Sequence, residues 1–165
     1  MPHLLDEKNV KMLTSHKVFT EAELKSRVDI MLDNYSKQVL IEANTMLEMS
    51  RRMILPAIEC YENKISGAVA AKKAVAPSVA CSYESDIVVK LSDLADKVYG
   101  GANDLEKVIA EAGDASDVVA ESVFIKDKVI PVMNEIRAAA DEAESYVSKE
   151  CWPLPSYGDL LFSVT

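Results

Sequence analysis

The chain predicts an all-α fold: an antiparallel bundle of three to four long, partly proline-kinked helices with a non-helical aromatic C-terminal tail. Three observations carry this. Apolar residues recur at steps of three and four from about Thr20 to Glu150, which is the helical period. Aromatic residues make up only 6% and glycine occurs five times, which disfavours an all-β chain. The pattern then stops abruptly at Trp152-Pro153-Leu154-Pro155, where each residue before a proline is turned away from the helical region. The expected organisation is a lead-in with a short helix (1–19), a helical bundle (20–150) and a proline- and aromatic-rich docking tail (151–165).

Residues from Asp6 to Leu13 predict a short helix, followed by a loop from Thr14 to Phe19. Thr20 and Glu23 have the spacing of a capping box, with Phe19 and Leu24 placed as its hydrophobic staple. The apolar stripe of the first long helix is Leu24, Val28, Met31, Leu32, Tyr35, Val39, Ala43, Met46, Met49 and Met53. Nothing interrupts it before Pro56, so the helix extends about 34 residues, on the order of 50 Å. Pro56 removes a backbone hydrogen bond and crowds the preceding turn, which predicts a kink. Helical periodicity resumes through Cys60, Tyr61, Ile65 and Val69, and a turn is expected at Ser78 to Ser82.

Ser82 or Ser85 caps the next helix, whose stripe is Ile87, Val88, Leu91, Leu94, Ala95 and Val98. Gly100-Gly101 predicts a break or a loose bend, each glycine costing about 1 kcal/mol relative to alanine. The pair lacks the flanking residues of a phosphate-binding loop. Gly113 is placed as a left-handed cap, and Asp114 or Ser116 opens the last helix, which runs to Val147. Pro131 sits in it as Pro56 sits in the first, at Ile130-Pro131 and Leu55-Pro56. Two bent helices with matched kinks or a coincidence both accommodate this. Ala68, Ala70, Ala71, Ala138, Ala139 and Ala140 are placed to let helices approach closely.

The formal net charge is −9, from 27 acidic against 18 basic residues, a field that repels phosphate backbones and anionic lipid. Nucleic acid and membrane are therefore not expected partners. Charged residues interrupt every apolar run before it could span a bilayer, and residues 1–8 lack the apolar centre of a signal peptide. With three dispersed cysteines, Cys60, Cys81 and Cys151, in no metal or redox motif, the expected compartment is the cytoplasm.

No catalytic, cofactor-binding or metal residue emerges. Carboxylate-bridged metal sites in bundles use Glu-x-x-His pairs, and the two histidines, His3 and His16, precede the long helices without that spacing. Neither stands near a cysteine in sequence as a base for a nucleophile. Acidic runs such as Asp141-Glu142-Ala143-Glu144 have the composition of a solvated face.

Two stretches read as interaction surfaces instead. Asn34, Tyr35, Gln38 and Glu42 interleave polar groups with the apolar stripe, and with Met46 they form a candidate contact face within residues 31–53. Trp152, Pro153, Leu154, Pro155, Tyr157, Leu160, Leu161 and Phe162 form a tail too apolar to remain in water.

Phe19-Thr20, Glu23-Leu24, Ser26-Arg27, Asn34-Tyr35, Lys37, Ile41-Glu42-Ala43, Thr45-Met46-Leu47 and Ile54-Leu55-Pro56-Ala57 resemble the C-terminal helical region of type III glutamine synthetases. The ending Trp152-Pro153, Pro155 and Tyr157-Gly158-Asp159-Leu160-Leu161-Phe162 is similar to the chain end of those enzymes. The resemblance covers essentially the whole chain from about Leu4, although residues 64–120 are generic. It implies a parent ligase of nitrogen metabolism that makes glutamine from glutamate and ammonia, with ATP and magnesium or manganese, in ring-shaped oligomers. On this reading the catalytic domain lies upstream, Met1 stands where it hands over to the helical region, and no active-site residue is carried here. The implied partners are the catalytic domain or neighbouring subunits, and the tail docks on the bundle or on that interface. The alternative is a free-standing helical adaptor that uses its tail as a ligand.

Overall fold

The computed structural model describes residues 2–162, and no strand occurs among them. Met1 and the last three positions of the tail, 163–165, lie outside the described residues. The expected all-α bundle architecture is present. A 3₁₀ turn, Pro2–Leu5, precedes α1 (Glu7–Ser15) and α2 (Glu21–Met49). A π-helical turn (Ser50–Ile54) leads into α3 (Leu55–Val75), and α4 spans Ser82–Ala112. α5 (Val118–Phe124), a second π-turn (Ile125–Val129) and α6 (Ile130–Glu144) follow, with a short α7 (Tyr157–Leu161) in the tail. The helical rods are 55 residues from Glu21 and 27 residues from Val118, longer than the sequence pattern suggested for the first.

The chain forms two compact units. The first comprises Met1–Thr45 and Asp104–Met133. In it α1 ends in a Schellman arrangement: the Val18 amide donates to the Leu13 carbonyl and the Lys17 amide to that of Thr14, both at 3.0 Å. Lys17 occupies the left-handed position at φ 54°. The capping box forms as expected. The Glu23 amide donates to Thr20 Oγ1 at 3.3 Å, and the Thr20 amide donates to Glu23 Oε2 at 2.8 Å. Leu24 beside it is fully buried, while Phe19 is half-buried with the Arg27 guanidinium 4.8 Å over its ring centroid.

The core of this unit takes Leu24, Val28, Leu32, Val39 and Ala43 from α2, Leu105 and Ala112 from α4, and Ile125 and Val129 from the second π-turn. Ser36 is buried on the same α2 face, whereas Met31 and Tyr35 are exposed. The stripe is therefore narrower than the sequence pattern, because residues one step off its centre line turn to solvent. Asp117, rather than Asp114 or Ser116, opens α5; its carboxylate accepts from the Ala120 amide at 2.8 Å. Gly113 is not left-handed, since no glycine has a positive φ among the described residues.

The second unit comprises Met46–Asn103 and Asn134–Thr165. Its core is Ile54, Ala57, Ile58 and Ile65, then Ile87, Leu91, Leu94, Val98 and Ala102, then Ile136, Ala139, Ala143 and Val147. Cross-helix contacts fix antiparallel pairings. Lys72 of α3 pairs with Glu84 of α4, and Arg51 of the first π-turn donates to Asn103 of α4. Lys90 pairs with Glu142 at 2.6 Å between α4 and α6. The turn into α4 passes through Cys81, buried and left-handed at φ 49°, whose carbonyl accepts from the Ser85 amide at 3.0 Å.

Gly100-Gly101 neither breaks nor ends its helix; α4 runs through it. The glycine penalty of about 1 kcal/mol each is outweighed by continuous burial of Val98, Ala102 and Leu105 along one face. Close helix approach occurs at Gly101, and of the alanines expected to provide it Ala139 is buried in the core. A Cβ on Gly101 would lie 2.7 Å from Ile136 Cγ1, whereas Ala68, Ala70 and Ala71 are exposed.

Both prolines are accommodated by the same device. The Leu55 amide donates to the Ser50 carbonyl and the Ile130 amide to that of Ile125, each five residues back and one residue ahead of a proline. Widening the turn moves the carbonyls that a proline ring would strike in a regular α-helix. The expected disturbance at Pro56 and Pro131 thus takes the form of a π-turn ahead of each.

Candidate functional site

The first candidate face lies on α2. Asn34, Tyr35, Gln38 and Glu42 are all exposed, as a contact face requires, and lie within the first unit. Gln38 Nε2 donates to Glu42 Oε1 at 3.1 Å, and Lys37 pairs with Asp33 at 2.7 Å, both along the helix. Asn44 and Thr45 donate back to the carbonyls of Leu40 and Ile41, both at 2.8 Å. Met46 is half-buried and belongs to the second unit.

Sequence reasoning missed Ile30 and Ile41 as members of this face. Ile30 is 56% exposed, Met31 47% and Ile41 68%. Ile30, Asn34 and Ile41 follow steps of four and seven, and Met31, Tyr35, Gln38 and Glu42 steps of four and three. The signal was available in that spacing, but Met31 and Tyr35 fit the core stripe as well.

The second candidate is the tail. Trp152 and Leu154 are half-buried and non-helical, as their following prolines dictate, while Pro153 and Pro155 are exposed. The expectation of a wholly non-helical tail needs correction, because Ser156 starts α7. Its hydroxyl accepts from the Asp159 amide at 3.3 Å, and Asp159 Oδ2 accepts from the Ser156 amide at 2.9 Å, a complete capping box. Lys149 closes on Asp159 at 2.7 Å. These contacts hold the Asp159 carboxyl down at about 2, chiefly through the Lys149 ammonium and then the Ser156 hydroxyl and amide.

Beyond the cap, Leu160, Leu161 and Phe162 are 62%, 68% and 82% exposed. The tail's root is held and its apolar end faces water. The Tyr157 side chain lies outside the described residues.

The root is tied to α3 by contacts that no spacing in the sequence announced. Lys64 Nζ pairs with Glu150 Oε2 at 2.9 Å, and the sulfurs of Cys60 and Cys151 lie 2.6 Å apart. Among the described residues the buried Trp152 indole Nε1 has no hydrogen-bond partner.

A divalent metal, which the resemblance implies for a whole enzyme, needs clustered donors. Among the described residues no group of three or more His, Cys, Asp or Glu side chains could hold a metal ion. These residues do not fit such a group. No helix of the described residues is long and apolar enough to cross a membrane.

The comparisons with known proteins agree with the motifs. Residues 1–73 match the family model of the glutamine synthetase C-terminal domain. A glutamine synthetase of Butyrivibrio fibrisolvens is 29% identical over 164 residues, 99% of this chain and 23% of that protein. A type-3 glutamine synthetase of Dictyostelium discoideum is 28% identical over 173 residues, covering 98% of this chain and 23% of its own. A glutamine synthetase of Bacteroides fragilis is 22% identical over 165 residues, with 98% and 23% covered. The chain thus spans about a quarter of the length of these relatives. By its motifs and these matches, the chain is similar to the C-terminal domain of glutamine synthetases, a type-3 enzyme among them.

Proposed function

We propose that this chain is a non-catalytic packing and oligomer-organising region of a cytoplasmic glutamine synthetase. The whole enzyme would ligate ammonia to glutamate using ATP and magnesium or manganese, with all of that chemistry outside these residues. The partners of this region are the catalytic domain or a neighbouring subunit.

The observation that carries the reading is the apolar end of the tail. Leu160, Leu161 and Phe162 are mostly exposed although the tail's root is anchored. Burying side chains of this size stabilises an interface by about 1.5–3 kcal/mol each. Their exposure favours docking on another surface over folding back on the bundle. The α2 face with Ile30, Met31, Tyr35 and Ile41 supplies a second apolar area of the same kind.

Deleting residues 152–165 from the full-length enzyme tests this. Loss of assembled particles in analytical ultracentrifugation, with reduced solubility, is expected. Unchanged ring size and activity would remove the assembly role. Should the genomic sequence upstream of His3 encode no catalytic domain in frame, the adaptor reading takes its place.

A further inference from the structure

We propose that Cys60 and Cys151 form a reversible dithiol–disulfide site that is oxidised by low-molecular-weight disulfides and, once oxidised, ties the root of the aromatic tail covalently to α3. The proposal is independent of the enzyme to which the chain belongs.

Three observations place the site. The two sulfurs come from positions 91 residues apart in sequence yet stand 2.6 Å from each other. A covalent S–S bond of about 2.05 Å requires little further approach. A second contact holds the same register, because Lys64, one turn beyond Cys60, pairs with Glu150, the residue before Cys151, at 2.9 Å. Both thiols are open to solvent, Cys151 only in part, whereas the remaining thiol, Cys81, is buried.

The Cys151 thiol is held below its ordinary range, first by the hydrogen bond from Cys60 and also by the Lys64 ammonium. The same partnership pushes the Cys60 thiol up. With Cys151 as the first thiolate, its sulfur attacks the external disulfide. It displaces one thiolate from a small-molecule disulfide and forms a mixed disulfide. Cys60 then loses its proton, attacks the Cys151 sulfur and expels the second thiolate. In balance, one external disulfide and two protein thiols give one protein disulfide and two external thiols. A reducing thiol pool reverses the sequence.

The consequence falls on the tail, because Cys151 immediately precedes Trp152. Oxidation would fix the chain entering Trp152-Pro153, while leaving α7 and its exposed end to dock.

The test equilibrates the full 165-residue chain across glutathione and glutathione-disulfide ratios, blocks free thiols with an alkylating agent, and maps peptides by mass spectrometry. At the oxidising end alkylatable thiols should fall from three to one, with the mass of two hydrogens lost and the linked peptides containing Cys60 and Cys151. Cys81→Ser should retain that link. Cys60→Ser should stop at a glutathione adduct on Cys151. Circular dichroism establishes that each variant keeps its helices. Fluorescence of Trp152, the single tryptophan, should change on oxidation of the wild type and not of Cys60→Ser. Three alkylatable thiols throughout, glutathione adducts that never resolve in the wild type, or links found only between separate chains would each overturn the proposal.

Discussion

Gly101 of α4 faces Ile136 of α6 so closely that a Cβ would sit 2.7 Å from Ile136 Cγ1. That carbon is on the stiff, branched part of the side chain, so it cannot swing aside as a flexible terminus could. Its neighbour Gly100 has no atom within 4 Å of the same construction. The two glycines thus share a helix and a propensity cost but not a packing role. Gly100→Ala should raise stability by about 0.5–1 kcal/mol. Gly101→Ala gains the same propensity but overpacks, so it should fall about 1–3 kcal/mol below Gly100→Ala in urea denaturation. Equal midpoints and slopes for the two variants would contradict the close approach.

Lys17 closes α1 in the left-handed region at φ 54°, a conformation that a Cβ disfavours by roughly 1–2 kcal/mol. Lys17→Gly should therefore protect the Val18 amide, which donates to Leu13, more strongly from hydrogen exchange. Global stability should rise by up to about 1 kcal/mol, moderated by the entropy that glycine adds to the unfolded chain.

The cap of α7 carries a pH dependence whose sign follows from Asp159. Its carboxyl is lowered from 3.8 to about 2, with the Lys149 ammonium the largest cause. A depressed value means that the cap's contribution is fully present above pH 3.8 and is lost as pH falls toward 2. Carbon-13 chemical shifts of the Asp159 carboxyl should titrate with a midpoint near 2. In Lys149→Met the midpoint should move up toward 3.8.

Burial separates two positions on α2 that sequence hydropathy treats alike. Leu24 is fully buried, and Leu24→Ala should cost about 2–5 kcal/mol in thermal or chemical unfolding. Ile41 is 68% exposed, and Ile41→Ala should stay within about 0.5 kcal/mol of wild type. A large loss at Ile41 in the isolated chain would show that this face is already packed.

Much of the fold was legible because helical period and capping chemistry are local. Thr20 and Glu23 announced the start of α2, and Ile87, Leu91, Leu94 and Val98 announced the buried face of α4. The errors share a cause. Gly100-Gly101 was read from propensity alone, whereas burial on either side kept the helix intact. Asp117 displaced Asp114 and Ser116 because several residues in that loop can cap, and the packing of α5 selects among them. The candidate faces were half legible: polar interleaving marked Asn34, Gln38 and Glu42, but exposed Ile30 and Ile41 look like core residues to any hydropathy pattern. The pairing of Cys60 with Cys151 left no trace in spacing.

The amino-acid order by itself determined that this chain is helical, where α1, α2 and α4 start, and that Trp152 and Leu154 leave the helical conformation. Those outcomes depend on backbone sterics and on partners within a few residues. Which thiols meet, which glycine receives a neighbouring helix, and which apolar side chains stay in water were decided only by tertiary structure. Each depends on the axial register of helices distant in sequence, and period alone does not encode that register.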